Sequence, residues 1–216
     1  MGLTWANRMT ILRILLVVPF VIGMLKINSP ELNKAVQNLI RYASFGVFFV
    51  MAVSDGLDGY LARTKKQVTK LGIFLDPVAD KLLITSACLL LSSQRGKVAD
   101  EFLLPPTVVV LIIGKDLLLV LGFIIVYFLT SQLLVAPVLI GKIANALQLV
   151  MVGAILLAPE ISGAIPGWIW FLRTLWWSAA ATAILATLIY IRNGSRYIEQ
   201  YETPPRGNPN QGNPKS

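Results

Sequence analysis

The chain has 216 residues, of which 56% are hydrophobic and only 14% are charged. An average soluble domain is about 25% charged. We therefore predict one integral membrane domain. Histidine is absent and Cys88 is the only cysteine, which excludes Ser-His-Asp and Cys-His nucleophile systems, imidazole metal sites and an intrachain disulfide. The formal net charge is +8, but Lys and Arg gather at the ends of apolar runs rather than among aromatic residues, which favours membrane orientation and indicates no nucleic-acid partner.

Six stretches are apolar enough to be membrane-spanning helices, each of which needs about 20 residues. In chain order they cover residues 9–26, 38–61, 72–93, 106–129, 138–158 and 168–191. We interpret the first as an uncleaved helix, because no small-residue cleavage site follows it and further apolar stretches do. The prediction is therefore an all-α bundle of six transmembrane helices over residues 1–198, followed by a disordered cytoplasmic tail at 199–216 that is rich in Pro, Gly and Asn.

The basic residues predict how this bundle is oriented. Lys and Arg are concentrated near the N-terminus, between the second and third stretches, and in the C-terminal tail. The alternate connections carry Lys and Arg that are diluted by Glu31, Asp100 and Glu101. The positive-inside rule then places both termini in the cytoplasm.

Four aspartates lie where the second stretch ends and the third begins, namely Asp55, Asp58, Asp76 and Asp80. A charged side chain at the centre of a bilayer costs roughly 2.5–3.5 kcal/mol, so these acids need partners. Spacings of three and four residues place each pair on one face of its helix, with Cβ atoms about 5–6 Å apart. A short connection lets the two helices run antiparallel with converging acidic faces. Such a set of oxygens suits one or two ions of Mg²⁺ or Mn²⁺.

Small residues lie beside these acids, at Gly56, Gly59, Ala62 and Gly72. Small residues in membrane helices serve close helix packing, but here they also leave room for a phosphate group to approach the carboxylates. Arg63 has two interpretations as well, since its planar donors match phosphate geometry and its position fits an orienting charge outside the membrane.

The run from Asp55 to Asp80 resembles a known family signature. D-G-L-D-G-Y-L-A-R, eight further residues and G-I-F-L-D-P-V-A-D fit D-x2-D-G-x2-A-R-x8-G-x3-D-x3-D at every defining position. This is the signature of the CDP-alcohol phosphatidyltransferases, which also agree with six spans, so the resemblance covers residues 5–195. Within the family the chain is most similar to the phosphatidylglycerophosphate synthases.

The resemblance implies transfer of a phosphatidyl group from CDP-diacylglycerol, with release of CMP, by a two-metal mechanism. It implies that Asp55, Asp58 and Asp76 bind two divalent cations, Mg²⁺ or Mn²⁺, and that Asp80 is both a ligand and the catalytic general base. An ion pair between Asp80 and Lys81 is the competing structural role.

The resemblance also implies which residues bind CDP-diacylglycerol. Four of them follow the first acid pair or lie in the basic connection, and two lie in the N-terminal W-A-N-R-M-T-I-L-R, which is similar to the P-N-x-L-T-x-x-R opening of the glycerophosphate branch. They are Gly59, Ala62, Arg63, Thr69, Asn7 and Thr10. Helix capping explains Asn7 nearly as well.

Lys115 and Lys142 are the residues that the resemblance assigns to the acceptor phosphate. Structural pairing or anchoring at the interface is the alternative for both. Ala144 and Asn145 stand where the G-K-x-K-T element of the phosphatidylglycerophosphate synthases has Lys and Thr, and the run also resembles the cardiolipin synthases of the same family. Glycerol 3-phosphate is therefore the leading acceptor, and phosphatidylglycerol, a lipid alcohol, is the alternative.

Together these features predict an enzyme of phospholipid biosynthesis in the cytoplasmic (inner) membrane of a bacterium, with its active site facing the cytoplasm. The resemblance implies a homodimer, which is common in the family. An ion-coupled transporter is the remote alternative, since acids within a membrane also mark ion pathways. The clustering of both acid pairs near one face and the lack of an inverted repeat disfavour it.

Overall fold

The computed structural model describes residues 5–65, 70–130 and 139–202. Within these ranges it describes the side chains except those of residues 5–8, 56–65, 70–77, 80, 123, 126–130, 139 and 195–202. Every regular element in the described ranges is a helix, so the predicted all-α class is confirmed there. Helices are the expected solution for apolar sequence of this length, because in lipid each backbone N–H and C=O must find its partner within the chain segment.

The helices follow the predicted stretches closely. They are α1 Trp5–Lys26, α2 Lys34–Lys65, α3 Lys70–Leu91, α4 Pro106–Thr130, α5 Leu139–Leu156, α6 Ala158–Ala164 and α7 Trp168–Glu202, with a 3-10 turn at Asp100–Phe102. The last helix runs to Glu202, so residues 199–202, which were assigned to the tail, are helical. Residues 203–216 lie outside the described residues.

Four segments in the described ranges are long and apolar enough to cross a membrane, namely Met9–Lys26, Lys34–Asp55, Asp100–Gly122 and Trp168–Gly194. A fifth membrane-spanning segment is present if α5 and α6 together form one broken span, with an angle of 71° between their axes. The stretch predicted at 138–158 corresponds to α5, and the short helix α6 that follows, with Pro159 in its first turn, was not predicted. Because proline has no N–H and fits only the first turn of a helix, the chain ends α5 and starts again. Six spans and cytoplasmic termini stay predictions.

The helices pack into one bundle around a continuous apolar core. α1 and α5 each contact both α2 and α3, while α4 contacts α3 and α7, and α7 also contacts α5. Many large apolar side chains on the outside are exposed, including Leu15, Phe49, Val110 and Leu188. Helices that are apolar on both the inner and the outer face are typical of membrane proteins. Fully buried core residues include Phe20, Met51, Leu91, Ile112, Ile155 and Leu172.

The two ends of the bundle have different polar contacts. At one end, Asn28 Nδ2 after α1 donates hydrogen bonds to the backbone carbonyls of Arg95, at 3.0 Å, and Lys97, at 2.7 Å. We call this the distal end, because α1 and α3 finish there. The opposite end, where α2 finishes and α3 and α5 begin, is the acid end.

An ion pair near the distal end holds the bent segment. Arg41 of α2 is buried and pairs with Glu160 of α6, whose carboxylate also accepts a hydrogen bond from the Tyr42 hydroxyl at 2.7 Å. The contact joins two helices that are far apart in sequence. It therefore fixes the direction of α6 after the break at Pro159.

We expect Glu160→Gln to lower the free energy of unfolding by about 2 kcal/mol. This value lies between the cost of losing an exposed pair and that of leaving a fully buried charge unpaired, since Arg41 is buried while the Glu160 side chain is 35% exposed. Thermal unfolding in detergent measures the effect. Asp100→Asn is the control, because it removes the Lys97–Asp100 pair, whose acid is 85% exposed. Equal melting temperatures for the two variants would contradict the expectation.

Candidate active site

Asp55 is the predicted metal ligand whose side chain the structure describes. It lies in α2 and its Oδ1 is 2.9 Å from Nη1 of Arg13 in α1. The Asp55 side chain is 38% exposed, whereas that of Arg13 is 2% exposed. A buried guanidinium thus holds a carboxylate that stays accessible, as a group that binds a cation or substrate needs to be.

The other three predicted ligands have described backbones only. Asp58 lies in α2, and Asp76 and Asp80 lie in α3, so their helical spacing is as predicted. Their side chains lie outside the described residues. Among the side chains that are described, no three acidic, Cys or His residues form a group able to hold a metal. Convergence of the four acids on divalent ions therefore stays a prediction.

A pocket opens at the acid end between four helices. Asp55 comes from α2, Lys81 from α3, Asn145 from α5 and Arg13 from α1, and apolar side chains complete the wall. The lining residues are Arg13, Ala52, Asp55, Lys81, Leu83, Ile84, Asn145 and Leu149. The pocket therefore brings together the first aspartate of the motif and the lysine that directly follows its last aspartate. Within this lining, the Asp55 carboxylate is an oxygen donor of the kind that hard divalent cations prefer.

Behind one wall of the pocket lies a polar cluster, which we call the lysine–aspartate network: Lys81, Lys115, Asp116, Asn145 and Gln148. Asp116 Oδ1 is 2.7 Å from Lys81 Nζ and 3.1 Å from Lys115 Nζ. Asn145 Oδ1 accepts hydrogen bonds from the same two ammonium groups, at 3.2 and 3.1 Å. The network joins α3, α4 and α5, and two cations share one carboxylate in it.

The two lysines predicted to bind the acceptor phosphate lie in different surroundings. Lys115 is buried in the network, with its side chain 2% exposed, and Gln148 Oε1 lies 3.5 Å from its Nζ. Lys142 is exposed in the first turns of α5, three residues before Asn145. No contact between Lys115 and Lys142 is present among the described side chains. Direct binding of one phosphate by both stays a prediction.

Of the residues predicted to bind CDP-diacylglycerol, Thr10 is the one with a described side chain. It is buried in α1, one turn before Arg13. Gly59, Ala62 and Arg63 lie in α2 and Asn7 in α1, with side chains that lie outside the described residues. Thr69 lies outside them altogether. The structure thus places Thr10 on the helix that supplies Arg13 to the pocket.

Sequence reasoning missed most of the cross-helix partners. Lys81 was considered only as a partner of Asp80, and Arg13 and Gln148 were given no role in the site. The available signals were weak: Arg13 closes the N-terminal motif, and Gln148 is a polar residue inside an apolar run. A polar side chain in such a run has to be satisfied inside the bundle, which marks Gln148 as a member of an internal network.

These features define a class: an α-helical protein of membrane type with a charged, carboxylate-bearing pocket between its helices. The family model described as CDP-alcohol phosphatidyltransferase matches residues 3–188. The chain belongs to this family, and the resemblance inferred from the sequence is confirmed.

The relatives to which the chain is similar carry two different names. A CDP-diacylglycerol–glycerol-3-phosphate 3-phosphatidyltransferase of Bacillus subtilis is 33% identical over 147 residues, which are 68% of this chain and 69% of that protein. A protein of the same name from Pseudomonas fluorescens is 39% identical over 111 residues, and the match spans 51% of this chain and only 50% of the relative. A cardiolipin synthase (CMP-forming) of Rattus norvegicus is 28% identical over 199 residues, 84% of this chain and 63% of that protein.

Proposed function

We propose that the chain transfers a phosphatidyl group from CDP-diacylglycerol to glycerol 3-phosphate, with release of CMP, in phosphatidylglycerol biosynthesis. The match to relatives named for this reaction carries the proposal. The pocket supports it physically, because the accessible carboxylate of Asp55 and the cationic network lie on the same cavity. The Asp55 carboxylate can hold a metal-bound diphosphate, and the cationic network can bind an anionic acceptor.

In the proposed reaction the acceptor hydroxyl attacks the phosphorus of the phosphatidyl group. The bond between this phosphorus and the bridging oxygen breaks, and CMP leaves with the bonding electron pair. Asp80 takes the proton of the attacking hydroxyl as general base. Asp80 lies in α3, the helix that also supplies Lys81 to the pocket.

The motif acids Asp55, Asp58, Asp76 and Asp80 are the residues that would hold two Mg²⁺ or Mn²⁺ ions. The chemistry such ions supply is neutralisation of the diphosphate and of the charge that develops on CMP. Arg13 orients one of these carboxylates through the contact with Asp55. Binding of the CDP-diacylglycerol head is assigned to Gly59, Ala62, Arg63, Thr69, Asn7 and Thr10.

The acceptor phosphate is assigned to the side of the pocket formed by α3, α4 and α5. Lys142 is exposed there and Lys115 adds positive charge from within the network. We further propose six spans, both termini in the cytoplasm and a homodimer in the inner membrane of a bacterium. The pocket at the acid end then faces the cytoplasm, where activated nucleotide donors are made.

Cardiolipin synthesis, with phosphatidylglycerol as acceptor, is the second candidate. The match to cardiolipin synthases of rat and human favours it, as does Ala144, which is fully buried where the other branch has a lysine. A phosphodiester acceptor carries less negative charge than a phosphate monoester and needs fewer cations.

An acceptor panel distinguishes the two. Purified protein in mixed micelles receives labelled CDP-diacylglycerol with glycerol 3-phosphate, phosphatidylglycerol, inositol phosphate or serine. We expect CMP release with glycerol 3-phosphate, its loss in excess EDTA, and recovery with Mg²⁺ or Mn²⁺. Release with phosphatidylglycerol alone would support the second candidate. If no acceptor supports release in the presence of metal, the transferase proposal is wrong; release without any ion gradient excludes an obligate ion-coupled transporter.

A further inference from the structure

Lys81 is the cation of the lysine–aspartate network that reaches the pocket. Its side chain is 19% exposed and lines the cavity with Asp55 and Asn145. Lys115 is 2% exposed and is not among the lining residues of that cavity. A molecule in the pocket can therefore touch the Lys81 ammonium, while Lys115 lies behind it.

The position of the Lys81 ammonium is set by two neighbours. Among the described side chains, Asp116 Oδ1 lies 2.7 Å from it in an ion pair, and Asn145 Oδ1 accepts a hydrogen bond from it at 3.2 Å. An ammonium has three N–H donors. Within this part of the chain, at least one donor is thus left for an oxygen in the pocket, while the ion pair with Asp116 and the hydrogen bond to Asn145 hold the ammonium group in place.

The network also has a charge imbalance. Lys81 and Lys115 are both paired with Asp116, so two positive charges share one negative charge. On the opposite side of the cavity Arg13 pairs with Asp55. Among the described side chains, those of the lysine–aspartate network therefore attract an anion, and because the network is largely buried, water screens this attraction weakly.

We propose that Lys81 binds an anionic oxygen of the acceptor and sets the negative charge that the acceptor must carry, an inference that rests on the proposed function. Asp116 and Asn145 are positioning residues, and Lys115 supplies the surplus charge without touching the substrate. The preferred acceptor class is a phosphate monoester of a small alcohol. A neutral alcohol has no negative charge to compensate the surplus positive charge of the network, so we expect it to bind less well.

Asn145→Asp tests the charge directly, because it places a carboxylate next to both ammonium groups with almost no change in shape. We expect the KM for glycerol 3-phosphate to rise about tenfold or more, the size of a lost hydrogen bond to a charged group. The KM for CDP-diacylglycerol should change less than about twofold, because in this proposal the donor substrate makes no hydrogen bond to Lys81. The melting temperature should be at least that of the wild type, since the added acid pairs with two lysines. If the role of Asn145 were purely structural, the KM for glycerol 3-phosphate would rise only together with a loss of stability.

Lys81→Gln should raise the same KM, and Lys81→Arg should restore part of the affinity. Asn38→Asp is the matched control, because Asn38 is exposed on the distal half of α2 and should leave both KM values unchanged. Protection against thermal unfolding by glycerol 3-phosphate gives a second readout that needs no turnover.

An unchanged acceptor KM in both Asn145→Asp and Lys81→Gln would overturn the inference, as would a rise confined to CDP-diacylglycerol. If Asn145→Asp does not fold, the expected melting temperature is wrong. Lys81→Gln then still tests whether Lys81 contacts the acceptor. If none of the acceptors supports CMP release by the wild type in the presence of metal, the proposed function fails. That result is distinguishable, since the inference alone fails only where the wild type is active.

Discussion

Asp80→Asn is expected to reduce the rate of CMP release by about 10³-fold, within the range that a positioned general base contributes. The amide keeps the size of the side chain but cannot take the proton from the acceptor hydroxyl, and it is a weaker ligand for a hard cation. We expect the loss in kcat rather than in the KM for the acceptor. Initial rates of CMP release from purified protein at saturating substrates measure it.

The structure weakens the competing role of Asp80 as a partner of Lys81. Lys81 already pairs with Asp116 of α4, at 2.7 Å. Asp80→Asn should therefore leave the melting temperature close to that of the wild type. Asp100→Asn at the distal end is the matched control and should keep full activity. Retention of more than about a tenth of the rate by Asp80→Asn would be incompatible with a general base, and a large fall in melting temperature would support the structural role instead.

The helices could be predicted from the sequence because their cause is local. An apolar run of about 20 residues in lipid satisfies its backbone most simply as a helix, and the observed α1, α4 and α7 follow the predicted stretches. The predicted stretch 138–158 ends close to the observed end of α5, because Pro159 and Glu160 interrupt the apolar run there. The short helix α6 was not predicted, since its seven residues are far fewer than the roughly 20 that a membrane-spanning helix needs.

The site could be predicted only in part. Helical periodicity places Asp55 and Asp58 on one face, as it does Asp76 and Asp80, and this follows from spacing alone. Which cation faces which acid depends on how whole helices rotate and pack, and spacing within one helix does not determine this. The contacts of Arg13 with Asp55 and of Lys81 with Asp116 are of this kind.

Asp116→Asn is expected to lower the free energy of unfolding by about 3–5 kcal/mol, the cost of removing one partner from a buried ion pair. Asp116 is 4% exposed and is the acid that Lys81 and Lys115 share. Its loss leaves two ammonium groups facing each other across a neutral amide. Thermal unfolding in detergent measures the change, and Asp100→Asn, at an exposed pair, should alter it little.

The double variant Asp116→Asn with Lys115→Met shows whether charge is the cause. It removes one cation together with the acid, so that the network keeps the same surplus of one positive charge as in the wild type. Part of the lost stability should return, because the two ammonium groups no longer face each other across a neutral amide. Strictly additive losses in this double-mutant cycle would mean that the two residues act independently. A carboxylate shared by the two lysines predicts the opposite, a coupling free energy between Asp116 and Lys115 in the unfolding measurement.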